Sequence, residues 1–339
     1  MGRTSGYVDG LLSGATWGVV AVLLPGPERL AGASLPATTT AVAVLFDAAA
    51  AVFLLARSVV AGSLADVVRL VASRRVFAVA VCSLLGGPLF MGGYIAAVIL
   101  AGPSDALTAT ALYPVVGALL ARSLLRQRLG RLGWLGVAVA AVGAGLIATD
   151  ASGAADSGHV LAGVAVALVA ATAVAGEGIV ATWAMAGLDT TTVMAVRELL
   201  SAAMFGLVLL AVPGGAATAA TMLTDRGLAL PIVVAGMVGG YSYAIWYRSI
   251  RKIGVAPAMA LNISYAMWGA LFAWSLHQTP VTLLAISGCA VVTAGAVITI
   301  LSGRHRPTVD VPTAGRHSSA PSWSSRVRTT CSTVAKSRS

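Results

Sequence analysis

The chain has 339 residues, of which 58% are hydrophobic and only 10% are charged. A soluble protein is normally about a quarter charged, so this composition excludes a soluble fold and indicates a polytopic membrane protein. The formal net charge of +10 is compatible with nucleic-acid binding, but the basic residues lie in short loops and a terminal segment, not on one periodic helix face. We therefore expect the lipid bilayer as a partner and no nucleic acid.

Ten apolar stretches approach the length that crosses the hydrocarbon core, which is about 20 helical residues. In chain order they cover residues 6–24, 37–56, 76–100, 104–121, 132–148, 160–185, 191–212, 228–247, 255–276 and 281–301. Prolines fall at or near several of the proposed ends, where a missing backbone donor costs least. The sequence predicts an all-α integral membrane protein with ten transmembrane helices.

The fourth and fifth stretches recur, without a gap, as the ninth and tenth. The alignment matches Tyr113 with Tyr265, and the turn at 122–131 carries four arginines, whereas its counterpart at 274–280 has no Lys or Arg. Lys and Arg are retained in the cytoplasmic loops of membrane proteins. Two copies that are related in sequence but differ in the charge of their turns therefore cross the membrane in opposite orientations. We predict two inverted five-helix repeats, residues 1–150 and 151–302.

The cation distribution predicts the orientation. A cytoplasmic N-terminus leaves only Arg29 and Arg226 of the 22 Lys and Arg on the far side, with Arg197 inside a span. We therefore expect a multi-pass protein of the cell inner (cytoplasmic) membrane, with both termini in the cytoplasm. Residues 303–339 are rich in Ser, Thr, Pro, Arg and His, and we interpret them as a disordered basic cytoplasmic tail.

Four charged residues lie well inside predicted spans, away from the span ends, and a charge at the centre of a span costs roughly 2.5 to 3.5 kcal/mol on insertion scales. They are Asp47, Glu177, Arg197 and Glu198. Sequence neighbours point about 100° apart on a helix, so we expect Arg197 to pair with an acid on another helix and not with Glu198. Three acids against one base suit a cationic or zwitterionic substrate, or proton exchange. A purely structural ion pair is the alternative.

A second group of candidates comes from helical spacing. Thr110 and Tyr113 lie on one stripe of the fourth span, and Asn262 and Tyr265 lie on the matching stripe of the ninth. The aromatic residues that we expect at the same cavity include Trp17, Tyr94 and Trp268. Aromatic side chains at such positions also serve as packing residues or interfacial anchors, and both interpretations stay open.

Several signals of catalysis are missing from the sequence. It contains no phosphate-binding Gly-x4-Gly-Lys-Ser/Thr loop, no nucleophile turn within a span and no residue set with metal-ligand spacing. We expect no cofactor, no metal and no enzymatic activity.

Glycine pairs mark the fifth and tenth spans. Gly136 with Gly143, and Gly288 with Gly295, place small residues on nearly one helix face, which lets backbones approach in lipid. Packing within one chain is one interpretation. A homodimer through these two spans is the other.

Several features of the sequence resemble those of the drug/metabolite transporter superfamily, specifically its ten-helix EamA-type members. They are the inverted halves, Trp17-Gly18, Arg197 early in the seventh span and the two glycine pairs. Where that family usually shows Glu in the turn after the fourth span, this chain has Gln127. The resemblance implies a secondary transporter that exports a small organic metabolite by alternating access. Proton coupling is the additional hypothesis that the buried acids suggest. A non-transporting scaffold or sensor and an intramembrane enzyme are the alternatives.

Overall fold

A computed structural model of the chain describes residues 2–24, 33–101, 106, 109–127, 129–150, 160–277 and 282–303. These residues are overwhelmingly helical and include no extended strand, which confirms the predicted all-α membrane class. The first half contains α1 (Gly2–Leu23), α2 (Leu35–Val60), α3 (Leu64–Val71), α4 (Val76–Leu84), α5 (Gly93–Ala101), α6 (Tyr113–Leu124) and α7 (Arg131–Asp150). The second half contains α8 (Val160–Ala184), α9 (Thr190–Ala211), α10 (Gly215–Thr224), α11 (Arg226–Ile253), α12 (Val255–Asn262), α13 (Tyr265–His277) and α14 (Leu283–Gly303).

Eight helical segments of the described chain are long and apolar enough to cross a membrane. They correspond to the predicted spans one to three and six to ten. The predicted fourth and fifth spans contain shorter apolar helices, Tyr113–Leu124 and Arg131–Ile147. Residues 102–105 and 107–108 of the fourth region lie outside the described residues, as does nearly all of the predicted tail. The count of ten, the inverted repeats and the domain boundaries therefore stay predictions.

The two halves share an order of elements. In each half, two long helices are followed by a short one, α3 with 8 residues and α10 with 10. The helix α3 is amphipathic and buries Val67 and Leu70 on one face. These short helices were not predicted from the sequence, because a search for stretches of spanning length passes over helices of two to three turns. Their matching positions are what a duplicated unit predicts.

The glycine faces of α7 and α14 meet each other within one chain. A side chain at Gly143 would contact Gly288 O and Val292, and one at Gly295 would contact Ala140. Glycine at these positions therefore lets the two backbones touch. The faces that suggested a homodimer are occupied inside the chain, and a dimer through these helices, which stays a prediction, would have to use their other faces.

A second close approach positions α2. Gly236 of α11 lies against the carbonyl oxygen of Phe46, and Gly240 lies against Ala50. Because α2 packs on bare backbone of α11 here, the intervening Asp47 is held in the interior, where only 3% of the residue is exposed.

Candidate functional site

A cluster of buried charges lies where α2, α8 and α9 meet. The exposed fraction is 3% for Asp47, 0% for Glu177, 1% for Arg197 and 0% for Glu198. Arg197 Nε donates to Glu177 Oε1 at 3.0 Å, and Arg197 Nη1 donates to Glu198 Oε1 at 2.9 Å. One guanidinium therefore holds two carboxylates from two helices, a charge-assisted arrangement that compensates buried ions.

The prediction about the partners of Arg197 was correct in one part and wrong in the other. Glu177 is an acid on another helix, as predicted, but the prediction that Arg197 would not pair with Glu198 was wrong. The angle of about 100° between neighbouring side chains applies to their Cβ directions. The long arginine stem and the fork of five N–H donors span that angle, so separate nitrogens reach two acids.

Two tyrosines one helical turn apart on α11 complete the surroundings of Arg197. The Tyr247 hydroxyl donates to Glu177 Oε1 at 2.9 Å, and the ring centroid of Tyr243 lies 4.7 Å from Arg197 Cζ. The role of Tyr247 was missed by sequence reasoning, although its spacing from Tyr243 places both on one helix face and was the signal available. The tyrosines give the buried cation and its acids a polar and aromatic boundary.

Asp47 is held differently from the two glutamates. Ser201 Oγ donates to Asp47 Oδ2 at 2.5 Å. Ser201 follows Arg197 by one turn of α9, so it lies on the same face. Among the described residues, Arg197 forms ion pairs with Glu177 and Glu198 and not with Asp47. Asp47 is therefore the acid of the cluster with a hydroxyl and no cation as its direct partner.

The segment between α4 and α5 brings bare backbone against these charges. It is π-helical over Leu85–Gly92 and contains Pro88, which interrupts the regular helical hydrogen bonds. A Cβ at Gly86 would overlap Glu177 Oε2 and Arg197 Nη2, and one at Gly87 would overlap Ser201 Oγ. Glycine at these positions is thus required by the charge cluster.

Three polar atoms of the cluster are buried without a hydrogen-bond partner in the described protein. They are Glu177 Oε2, Arg197 Nη2 and Glu198 Oε2. Buried polar atoms are nearly always paired, so the cluster retains capacity for further hydrogen bonds.

A small, partly open cavity has Tyr243 in its wall. Its walls include Thr110, Tyr113, Asn262 and Tyr265, together with Trp17. The structure therefore brings together the two stripes that sequence spacing identified. The cavity volume is about 30 Å3. A cavity of roughly 10 to 15 Å3 is enough for one water, so this one has room for water and not for an organic metabolite.

Hydrogen bonds across the cavity join the two halves of the chain. The Tyr113 hydroxyl donates to Asn262 Oδ1 at 2.8 Å, and Asn262 Nδ2 donates to Ser13 Oγ at 2.8 Å. Ser242 Oγ in turn donates to the carbonyl oxygen of Ser13 at 2.8 Å. Polar groups from α1, α6, α11 and α12 thus converge on one point.

The structure does not place Tyr94 and Trp268 in the cavity wall. Phe90, one turn before Tyr94, lines the cavity instead, and the two rings lie 6.4 Å apart. Trp268 stacks on Phe272 at 6.0 Å and packs against Gly18 of α1. A role of these two residues in the substrate pathway stays a prediction.

Gln127 connects the halves near the start of α12. Its Oε1 accepts a hydrogen bond from the backbone N–H of Val255 at 3.2 Å, and Gly254, with φ of 91°, packs against the same amide. The first N–H groups of a helix lack partners within the helix, so this side chain acts as a cap supplied from elsewhere in the chain. A neutral amide therefore serves as an acceptor at the position where the resembled family carries Glu.

Together these features define a polytopic α-helical membrane protein with a buried charge cluster next to a small cavity whose largely apolar wall carries a few hydroxyl and amide groups. Residues 161–301 match the EamA-like transporter family. The chain thus carries an EamA-like transporter domain, which confirms the resemblance predicted from the sequence and indicates a membrane transporter of the drug/metabolite superfamily.

Two further similarities extend over most of the chain. Protein LicB of Haemophilus influenzae is 22% identical over 229 residues, which is 65% of this chain and 74% of LicB. A protein of known crystal structure superposes with a TM-score of 0.70 at 17% identity, and the match covers 89% of this chain and 98% of the other. At this identity the structural likeness shows a shared fold.

Proposed function

We propose that this protein is a secondary transporter that moves a small organic metabolite across the cytoplasmic membrane by alternating access, driven by proton exchange. The observation that carries the proposal is a cavity that both halves build and whose wall includes Tyr243, the ring that also lies against Arg197 of the buried charge cluster. Transporters of this kind bind substrate between their two halves near the membrane midplane. We propose export as the direction, on the family resemblance, and no catalytic activity.

The cavity has the chemistry of an organic-ligand site. Hydroxyl and amide groups of Tyr113, Asn262 and Ser13 can orient a polar group, and Trp17 and Tyr243 offer aromatic faces. The acids outnumber Arg197, and an aromatic wall attracts cations, so a cationic or zwitterionic metabolite fits best. The small volume corresponds to a contracted state, and substrate binding requires the halves to separate around Tyr113 and Asn262.

The charge cluster supplies a means of coupling. A buried carboxylate without a direct cation is costly in its ionised form, so it favours binding a proton or a cationic group. Asp47 meets this description, and it lies on α2, which packs against both α9 and α11. A proton taken up there changes the charge balance next to the cavity.

Transport itself is tested in proteoliposomes with an imposed pH gradient and a radiolabelled panel of organic amines, zwitterionic amino acids and organic anions. We expect flux of at least one cationic or zwitterionic compound. Asn262→Ala removes an amide of the cavity wall that can orient the substrate, and it should lower that flux by about 5-fold, since one hydrogen bond is worth about 1 kcal/mol. Trp268→Phe, outside the cavity, should retain it. Folded wild-type protein that moves none of the panel contradicts the proposal.

The proposed orientation has both termini in the cytoplasm. Lys252 Nζ donates to Asp9 Oδ2 at 2.6 Å, and Arg248 Nη2 lies 3.3 Å from Asp9 Oδ1. The N-terminal part of α1 therefore lies beside the basic end of α11, which supports a shared cytoplasmic side.

Reporter fusions test this orientation. Fusions before Gly2 and after Ser302 should be active only with a cytoplasmic reporter, whereas a fusion at Asp225 should be active only with an exported one. An exported signal after Ser302 would contradict the proposed orientation.

A further inference from the structure

We propose that Tyr243 couples the cavity to the charge cluster, as a positioning residue whose ring converts a change of charge around Arg197 into a change of cavity shape. This proposal rests on the proposed function and deepens it, because it names the residue through which proton binding and substrate binding affect each other.

Tyr243 is the aromatic residue shared by both regions. Its ring lies under the Arg197 guanidinium, with 4.7 Å between centroid and Cζ, and it is also part of the cavity wall. Trp17 meets it edge to face at a centroid distance of 5.0 Å and an interplanar angle of 74°. Trp246 meets it at 5.8 Å and 66°. A displacement of this one ring is therefore felt by two further residues of the wall.

The attraction between the ring and Arg197 depends on how strongly the acids compete for the same cation. Two of the five N–H groups of Arg197 are engaged by Glu177 and Glu198. Asp47, paired through Ser201, lies in the same cluster without holding Arg197 directly. Protonation of Asp47 or of either paired glutamate lowers the negative charge that competes with the ring for Arg197, so the guanidinium is freer to settle on the ring. The titratable groups that face Arg197 and Tyr243 come from five helices: Asp47 of α2, Cys82 of α4, Glu177 of α8, Glu198 of α9 and Tyr247 of α11.

The coupling is reciprocal by thermodynamic necessity. A ligand that packs against Tyr243 in the cavity fixes the ring relative to Arg197 and thereby changes the proton affinity of the acids. Interfaces of packed aromatic rings have a few discrete arrangements and do not deform continuously, so a small change of charge can select between them.

The effect requires the ring and not the hydroxyl. The contacts of Tyr243 with Arg197, Trp17 and Trp246 are all made through the aromatic ring. This distinction supplies a matched pair of variants. Tyr243→Phe keeps the ring, and Tyr243→Leu removes it while retaining an apolar side chain.

The test measures tryptophan fluorescence of the full protein in lipid nanodiscs as a function of pH, with no substrate added. We expect a pH-dependent change in the wild type, the same change in Tyr243→Phe and its loss in Tyr243→Leu. Asp47→Asn should shift or remove the transition, which assigns it to the charge cluster. Helical circular dichroism and a monodisperse elution profile establish that each variant is folded.

A second set of variants leaves Tyr243 intact. Trp17→Phe combined with Trp246→Phe should remove the fluorescence change, because these indoles touch the ring, whereas Trp274→Phe, exposed on α13, should leave it unchanged. A wild-type response in Tyr243→Leu, or in the double tryptophan variant, overturns the proposal and leaves the proposed transport function standing. A wild type that transports but shows no pH response overturns it as well. A response that behaves as expected in a protein without transport supports the coupling and overturns the proposed function.

Discussion

Arg197→Ala is expected to prevent normal assembly of the protein. The substitution leaves Glu177 and Glu198 buried without their shared cation. Breaking a buried pair by removing one partner costs about 3 to 5 kcal/mol, because a charge is left uncompensated in the interior. Folded proteins hold only about 5 to 15 kcal/mol in total, so a loss of this size is severe. The yield of monodisperse protein in detergent and its thermal unfolding temperature measure the effect.

Neutralising the acids should restore assembly. Arg197→Ala combined with Glu177→Gln and Glu198→Gln removes both stranded charges, and we expect it to recover most of the lost stability, as strongly coupled residues do in a mutant cycle. Arg69→Ala is the matched surface control: its side chain is 77% exposed and pairs with Asp66, so about 0 to 1 kcal/mol is at stake. A single variant as stable as the wild type, or a triple variant as unstable as the single one, would contradict this account.

Composition and charge were sufficient to predict the class of fold. The 58% hydrophobic content leaves helices in lipid as the structural solution, and the apolar stretches placed most helices within a few residues. The short helices α3 and α10 were missed because they lie outside the stretches of spanning length. In the fourth predicted span, α6 covers Tyr113–Leu124, and the described residues Ala106, Ala109 and Thr110 before it are also helical.

The candidate site was predictable by residue type but not by contact. Intramembrane charges are rare, so Asp47, Glu177, Arg197 and Glu198 were identifiable from hydropathy alone, and all four lie in one cluster. Which atoms pair depends on side-chain reach, and for that reason the contact between Arg197 and Glu198 was not predicted.

The contacts of two glycines were also not predictable from the sequence. Gly86 and Gly87 precede Pro88 in the sequence, but only the packing of the π-helical segment on α8 and α9 shows that they adjoin Glu177, Arg197 and Ser201. Contacts between helices distant in sequence are set by tertiary packing, which periodicity within one helix does not encode.

Asp47→Asn is expected to abolish gradient-driven transport while leaving the protein folded. The substitution keeps the shape of the side chain and its hydrogen bond with Ser201 but removes the charge that no cation pairs directly. Stability should change little, because an uncompensated buried charge is being removed and not created. Glu177→Gln is the contrasting variant: it disturbs the bond to Arg197 and the one from Tyr247, so we expect lower thermal stability there.

The most direct test of proton-coupled transport is substrate-driven proton movement in proteoliposomes, followed with an internal pH indicator. The probe is the compound that the flux panel identifies, applied as a concentration gradient at equal initial pH. We expect the wild type to change the internal pH. With Asp47→Asn we expect exchange of labelled for unlabelled compound without any proton movement. Proton movement by Asp47→Asn equal to that of the wild type would contradict this expectation.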